Sequence, residues 1–336
     1  MLTVLVVDDS AVMRQVTAAV LSRDPDLRVV PAADPLIAME KMSRARPDVI
    51  LLDLEMPRMD GLTFLRKLMR EDPIPVVVCS AMATPRAMAA LDAGALDLVQ
   101  KPQIGVREFL EESAVTLIEA LRGAAEAGRR RRPRGAASND RAQLLPSGPP
   151  PRLVAVGAST GGTEALQQIL SALPEACPPL AVAQHMPAGF TAAFARRLDQ
   201  VCAIEVKEAA DGDALCPGRA LIAPGGRHLA IDRYCGGYVA RVVDGPLVSR
   251  HRPSVDVLFR SVAQAAGRDA IGVLLTGMGE DGAAGLKLMR ERGADTIAQD
   301  EATSVVFGMP RAAIEKGAAA RVVALPDIAA ALQRRA

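Results

Sequence analysis

Uninterrupted apolar runs alternate with stretches in which apolar residues recur every three or four positions through residues 1 to 122. The runs Leu2 to Val7, Leu27 to Pro31, Val49 to Asp53, Pro75 to Ser80 and Leu96 to Val99 predict strands; the periodic stretches near 11–22, 34–45, 61–70, 84–92 and 106–121 predict helices. Strands that are apolar on both faces, each followed by a helix, imply a parallel sheet covered on both sides. Residues 152 to 336 alternate less evenly. Leu153 to Val156, Leu180 to Gln184, Ile271 to Leu275 and Asp295 to Ala298 read as further parallel strands. Between them, Gly pairs at 225–226 and 236–237 separate short alternating runs over 203 to 243, which predicts an antiparallel excursion.

The segment from Arg122 to Arg152 breaks this pattern with eight Arg against Glu126 and Asp140, a net of +6, and with the cluster Pro149-Pro150-Pro151. It reads as a solvated linker over 122–151, dividing a domain at 1–121 from one at 152–336, in keeping with the two domains expected of 336 residues. Setting that +6 against the +1 of the whole chain leaves the folded parts together at −5, so the charge balance asks for neither nucleic acid nor a membrane. With aromatics at 2%, stacking platforms for single strands are not expected either. Five Cys without a C-x-x-C pair fit a reducing, cytoplasmic setting. The opening Met1 to Asp9 has no charged leader or long apolar core, so neither a signal peptide nor membrane insertion is expected.

In the first domain Asp8 and Asp9 follow strand one, Asp53 closes strand three, Ser80 closes strand four and Lys101 follows strand five. Parallel strands bring all five to one rim, where three carboxylates repel unless a cation sits among them. Hard oxygen ligands of this kind suit Mg²⁺. The remaining parts then have tasks: a carboxylate to accept a phosphoryl group, a lysine to balance its charge and a hydroxyl to bond its oxygens. The plainer reading is that Asp8 and Asp9 cap the next helix and Lys101 occupies an exposed turn. Taken together, Val-Val-Asp-Asp-Ser, Leu-Leu-Asp-Leu-Glu-Met-Pro-Arg-Met-Asp-Gly and Lys101-Pro102 resemble the receiver domain of response regulators, over residues 2 to 121. The resemblance implies a flavodoxin-like fold, Asp53 as phosphoacceptor, Mg²⁺ held by Asp8, Asp9 and Asp53, and Ser80 and Lys101 reading the phosphoryl group. Leu98 departs from it, standing where many receivers carry Phe or Tyr.

In the second domain the strand Leu153 to Val156 runs into Gly157-Ala158-Ser159-Thr160-Gly161-Gly162. This lacks the third-position glycine of a dinucleotide loop and the lysine of a P-loop. It reads instead as G-x-S-x-G at a strand-to-helix turn, projecting the Ser159 hydroxyl near free helix-start amides such as that of Thr160; an N-cap serine is the plainer alternative. A serine nucleophile needs a base and an orienting acid. Among three His, His185 is best placed, following strand Leu180 to Gln184, while His228 lies in the Gly-rich excursion and His251 is flanked by Arg250 and Arg252. Asp281, in Thr276-Gly277-Met278-Gly279-Glu280-Asp281-Gly282, is the leading acid, with Glu280 or Asp256 as alternatives and the Met278 N–H as a second oxyanion donor.

Val-Gly-Ala-Ser-Thr-Gly-Gly, Gln-His-Met-Pro-Ala-Gly-Phe, Ala-Pro-Gly-Gly-Arg-His-Leu, His-Arg-Pro-Ser-Val-Asp-Val-Leu-Phe and Leu-Thr-Gly-Met-Gly-Glu-Asp-Gly are similar to the catalytic domain of the CheB chemotaxis protein-glutamate methylesterases. With the receiver in front, the resemblance covers nearly the whole chain. It implies a doubly wound parallel sheet with an antiparallel hairpin, a Ser159, His185, Asp281 triad needing no cofactor for ester hydrolysis, and glutamine deamidation by the same chemistry. Chemoreceptors as substrate, a chemotaxis histidine kinase as phosphodonor and a receiver that blocks the catalytic face until phosphorylated are also implied. Two other classes compete: a non-catalytic phosphoacceptor adaptor that binds receptors stoichiometrically, and a transcription regulator, against which the second domain offers no basic helix-turn-helix.

Overall fold

The computed structural model describes residues 1–56, 60–82, 84–101, 107–130 and 153–333. The chain forms two compact units, Met1–Arg132 and Pro133–Ala336. The first contains β1 (Leu2–Val7), α1 (Ala11–Leu21), β2 (Leu27–Ala32), α2 (Pro35–Arg44), β3 (Val49–Asp53), α3 (Gly61–Glu71), β4 (Val76–Ser80), α4 (Pro85–Asp92), β5 (Asp97–Gln100) and α5 (Arg107–Arg130). Its strands are parallel, in the order β2-β1-β3-β4-β5. Helix starts are set locally: Ser10, Asp34, Asp60 and Thr84 each accept a backbone N–H of the first turn of α1 to α4. Ser10 therefore caps α1, and Asp8 and Asp9 do not serve that purpose.

The basic segment begins differently from the expectation of a linker at Arg122. Helix α5 continues to Arg130, with Ala124 and Ala125 buried in the core beside Val4, Leu51 and Leu121. Arg122 holds Asp24 with two hydrogen bonds of 2.7 Å. Arg122 and Arg129 lie on the solvent-facing side of a packed helix, so charge alone does not mark where the helix ends. The rest of the basic segment, 131–152, lies outside the described residues, as does Pro102.

The second unit contains β6 (Leu153–Ala158), α6 (Gly162–Ser171), β7 (Leu180–Gln184), α7 (Phe190–Asp199), β8 (Glu205–Glu208), β9 (Arg219–Ile222), β10 (His228–Tyr234), β11 (Gly237–Val243), α8 (Val255–Ala265), β12 (Ala270–Leu274), α9 (Ala283–Glu291), β13 (Asp295–Gln299), α10 (Met309–Glu315), β14 (Arg321–Val323) and α11 (Leu325–Ala331). Seven parallel strands form one sheet in the order β14-β13-β12-β6-β7-β9-β8. The expected antiparallel excursion is narrower than 203 to 243. Among the described strands β10 and β11 pair antiparallel, with an isolated antiparallel bridge from Ala214 to Val239 of β11, while β8 and β9 extend the main sheet. Central strands β6, β7 and β12 are buried at every position, and Phe259 and Val262 of α8 pack on one face with Leu286 and Met289 of α9. The order reverses around β6, where doubly wound sheets open a crevice at the carboxyl edge. Among the described residues, no helix is long and apolar enough to cross a membrane.

Candidate active site

Each unit gathers its reactive side chains just beyond the carboxyl ends of parallel strands. In the first, Asp53 is the last residue of β3 and is 2% exposed. Lys101 reaches across from beyond β5, its Nζ 2.6 Å from Asp53 Oδ2 and 3.2 Å from Asp8 Oδ2. Burial pushes the Asp53 carboxyl above its ordinary value, and the Lys101 hydrogen bond offsets only part of that rise. Lys101 itself is disfavoured as a cation by burial, but its contacts with Asp53 and Asp8 outweigh this and raise its pKa. Asp8, Asp9 and Asp53 each offer an oxygen within 4.8 Å of the others, a hard-donor set that fits a divalent cation such as Mg²⁺. Ser80 closes β4 on the same rim, with its hydroxyl donated to the carbonyl of Met82 at 2.8 Å. Leu98 is buried within β5. Gly61 is dictated by this geometry: a Cβ there would lie 2.2 Å from the carbonyl oxygen of Asp53.

In the second unit Ser159 and His185 are the first residues beyond β6 and β7, whose register pairs Ala158 with Gln184. The His185 N–H donates to the Ala158 carbonyl at 3.0 Å, fixing the two positions side by side. The buried side chain of Gln184 bridges them, its Nε2 donating to the carbonyls of Ser159 at 3.0 Å and His185 at 3.1 Å. The Ser159 N–H donates to the Thr276 carbonyl at 3.0 Å and is engaged within the fold; Thr160, the expected oxyanion donor, is the next residue in the chain. Gly277 lies against the serine, where a Cβ would come within 2.6 Å of Ser159 Cβ. That contact brings the loop carrying Met278, the second expected donor, to the nucleophile.

Asp281, 2% exposed, accepts a 2.8 Å hydrogen bond from His185 Nε2 on Oδ2. It also accepts Ser254 Oγ at 2.8 Å, Val255 N at 2.7 Å and Asp256 N at 3.1 Å, so one carboxylate serves as the anionic cap of α8. Burial pushes the Asp281 carboxyl up; the His185 bond and charge, with the bonds from Ser254 and Val255, more than reverse this and leave it below its ordinary value. The alternative acids have other partners: Glu280 is exposed and paired with Lys316, and Asp256 accepts the Gly285 amide at 2.6 Å. Nε2 of the His185 ring is committed to Asp281, and Nδ1 is its other nitrogen. Among the described residues the Ser159 hydroxyl makes no hydrogen bond to the ring; such bonds tighten when substrate binds.

Three partners of this site escaped the sequence reading. Gln184 was visible only as a strand end, although a polar side chain closing an apolar run is a signal for a buried clamp. Ser254 stands in the sequence only as part of the His-Arg-Pro-Ser-Val-Asp-Val-Leu-Phe motif, yet its hydroxyl donates to Asp281. His251 was passed over for its flanking arginines, yet its ring stacks on that of His185 with centroids 3.6 Å apart and planes at 8°.

Family models agree with both halves: the CheB methylesterase model matches residues 154–332, and the response regulator receiver domain model matches 4–112. The chain is 59% identical to a protein-glutamate methylesterase/protein-glutamine glutaminase of Anaeromyxobacter dehalogenans, covering 98% of this chain and 96% of that protein. It is 54% identical to another of the same name from Geobacter metallireducens, over 97% of this chain and 96% of the relative. Among solved structures, the catalytic domain of Thermotoga maritima CheB methylesterase superposes with a TM-score of 0.53 at 39% identity, over 54% of this chain and 97% of that one. A carboxyl-edge serine beside a His–Asp pair, an acidic pocket closed by a lysine and these full-length likenesses together assign the chain to the CheB methylesterase family, with a response regulator receiver domain preceding the catalytic domain.

Proposed function

We propose that this chain is a phosphorylation-activated esterase that removes methyl groups from the γ-carboxylates of glutamyl side chains on chemoreceptors, and deamidates receptor glutamines at the same site. The observation that carries this reading is the 2.8 Å bond between His185 Nε2 and Asp281 beside the Ser159 turn. An ionised carboxylate only accepts hydrogen bonds, so it holds the neutral imidazole as the Nε2–H tautomer, with the Nδ1 lone pair available as base. Ser159 Oγ attacks the ester carbonyl as its proton passes to Nδ1. Asp281 stabilises the imidazolium, and the amides of Thr160 and Met278 receive the oxyanion. His185 then protonates the departing methanol, or ammonia from a glutamine. Water attacks the acyl-serine with its proton going to His185, and release of glutamate returns the hydrogen to Oγ.

In the receiver, Asp53 takes a phosphoryl group from a chemotaxis histidine kinase, Lys101 balances the added charge and Ser80 turns its hydroxyl to the phosphoryl oxygens. Mg²⁺, held by Asp8, Asp9 and Asp53, supplies charge neutralisation when bound. The phosphoryl group adds about −1.5 to −2 charges, which favours a receiver state that releases the esterase. The enzyme works in the cytoplasm. A stoichiometric adaptor has no use for an imidazole locked to a buried carboxylate, and the two readings separate cleanly. Methanol release from methylated receptor by the full chain falls by about five to six orders of magnitude in Ser159→Ala if the triad acts as a unit; turnover near the wild-type rate would leave only the adaptor.

A further inference from the structure

We infer that His251 is a positioning residue for the catalytic imidazole, a role that rests on the triad reading of Ser159, His185 and Asp281. The bond from His185 Nε2 to Asp281 at 2.8 Å sets the ring's in-plane direction. Rotation about that bond would change the ring's tilt, and with it the direction of Nδ1, the atom that serves as base in the triad reading. The His251 ring lies flat against it, with centroids 3.6 Å apart and an interplanar angle of 8°, and blocks the tilt from that face. Departures of about 10–20° from productive geometry already impair an active site, so a fixed ring face bears directly on turnover.

The backbone that carries His251 is built against local preference. Val248 and His251 exchange two backbone hydrogen bonds, of 3.1 and 3.0 Å, closing a two-residue turn over Ser249 and Arg250. Both central residues have positive φ, 50° and 68°, a combination ordinarily filled by Asn-Gly or Gly-Gly because a Cβ is crowded there. Neither Ser nor Arg favours this turn, so contacts outside it must hold it. The Ser249 carbonyl can only accept, so His251 Nδ1 carries a proton and donates it at 2.7 Å, fixing the ring's tautomer and orientation. Arg252, next in sequence, ties the segment down by donating from Nη1 to the Gly245 carbonyl at 2.6 Å.

The same residues suggest a metal site, since ligand atoms of His185, His251 and Asp281 lie within 4.8 Å of one another. Parallel rings oppose that use: their in-plane lone pairs run side by side and do not converge on one ion, and Nε2 of His185 is already committed to Asp281.

The test compares His251→Ala and His251→Phe in the full chain, stimulated with acetyl phosphate and Mg²⁺, by methanol release from methylated receptor. In His251→Ala kcat falls about tenfold, equivalent to about 1.4 kcal/mol of barrier, with KM within about twofold. Phe keeps a flat ring without ring nitrogens and restores kcat to within about threefold of wild type. The His185 Nε2–H proton resonance stays sharp in wild type and Phe and broadens in Ala. Equal rates in all three proteins would overturn the inference, as would equal losses in Ala and Phe that track lowered melting temperatures. Zn²⁺ inhibition of wild type that disappears in His251→Phe would also overturn it, in favour of a metal site. Ser159→Ala keeps the two readings apart: if it is inactive while His251→Ala is unimpaired, only the positioning role fails; if it is active, the triad fails.

Discussion

Replacing Asp281 by Asn changes few atoms and tests both functions of this side chain. The carboxylate accepts four hydrogen bonds, from His185 Nε2, Ser254 Oγ, Val255 N and Asp256 N. Asn offers one accepting oxygen and an NH₂ that must face donors. If that NH₂ takes the Oδ2 position, it meets the Val255 N–H and forces His185 Nε2 to become an acceptor. The ring proton then moves to Nδ1, and the base has lost its lone pair on the serine side. Where the equivalent change traps the wrong tautomer in a serine protease it lowers kcat about 10⁴-fold, and a loss of roughly 10³- to 10⁴-fold is expected here. Stability falls too. Hydrogen bonds to a charged group are worth about 1.5–3 kcal/mol each, and some survive on the amide oxygen, so the catalytic unit should lose about 3 kcal/mol in denaturant unfolding at pH 7. The pH dependence gives the sign. Asp281 has a folded-state pKa below its unfolded one, so its stabilisation is fully present above the ordinary carboxylate value and is lost as pH falls through the depressed one. Wild type should therefore converge on Asp281→Asn in acid. Methanol release within tenfold of wild type, or a stability gap unchanged from pH 7 down to pH 2, would refute this reasoning. Glu280→Gln, on the exposed partner of Lys316, is the control and should remain within about twofold in rate.

Asp53→Asn should abolish stimulation by acetyl phosphate and Mg²⁺ while raising the receiver's melting temperature at pH 7. Burial holds the folded Asp53 pKa above the unfolded one, so native stability falls as pH rises between the two, and the amide removes that loss. Gln184→Leu leaves the carbonyls of Ser159 and His185 without their bridging donor; kcat should drop about tenfold and unfolding should cost about 1–3 kcal/mol less, as read by methanol release and urea titration. Cys235→Gly, at the exposed β10–β11 tip where φ is 48°, should stabilise the catalytic unit by about 1 kcal/mol with turnover unchanged; a lower urea midpoint would contradict the strain argument.

What the sequence made legible was governed by strand ends. An apolar run fixes where a parallel strand stops, and the next polar residue then falls on the carboxyl edge. Asp53, Ser159 and His185 could each be located this way, and the structure puts them there. The outer strands were harder. In β8, Val206 is buried between Glu205 and Lys207, because an edge strand packs on one face only, and that alternation imitates an antiparallel hairpin. His251 and Ser254 were out of reach for another reason. Their contacts depend on a turn with two non-glycine residues at positive φ, and on a helix capped by a carboxylate more than 20 residues along the chain. Nothing in the local residue pattern encodes either device; both follow from tertiary packing overriding turn and cap preferences.

Asp53 and Asp281, the two aspartates of the proposed function, show how a fold gives one residue type different surroundings. Asp53 and Asp281 are each 2% exposed, so burial alone would raise both carboxyls. Their donors decide the outcome. Asp53 accepts from Lys101 Nζ and the Glu55 amide, at 2.6 and 3.1 Å, and its pKa stays raised. Asp281 accepts from a helix start, a hydroxyl and an imidazole, and its pKa is lowered. A group that must attack phosphorus needs an uncommitted lone pair, and saturating it with donors would quench the nucleophile. A group that must remain an anion beside an imidazolium needs the opposite. Adding a donor to Asp53 should therefore slow phosphoryl transfer even where it stabilises the receiver, whereas removing donors from Asp281 by Ser254→Ala should weaken both catalysis and stability. The sparse donor set at one aspartate and the saturated set at the other suit the two roles proposed for them.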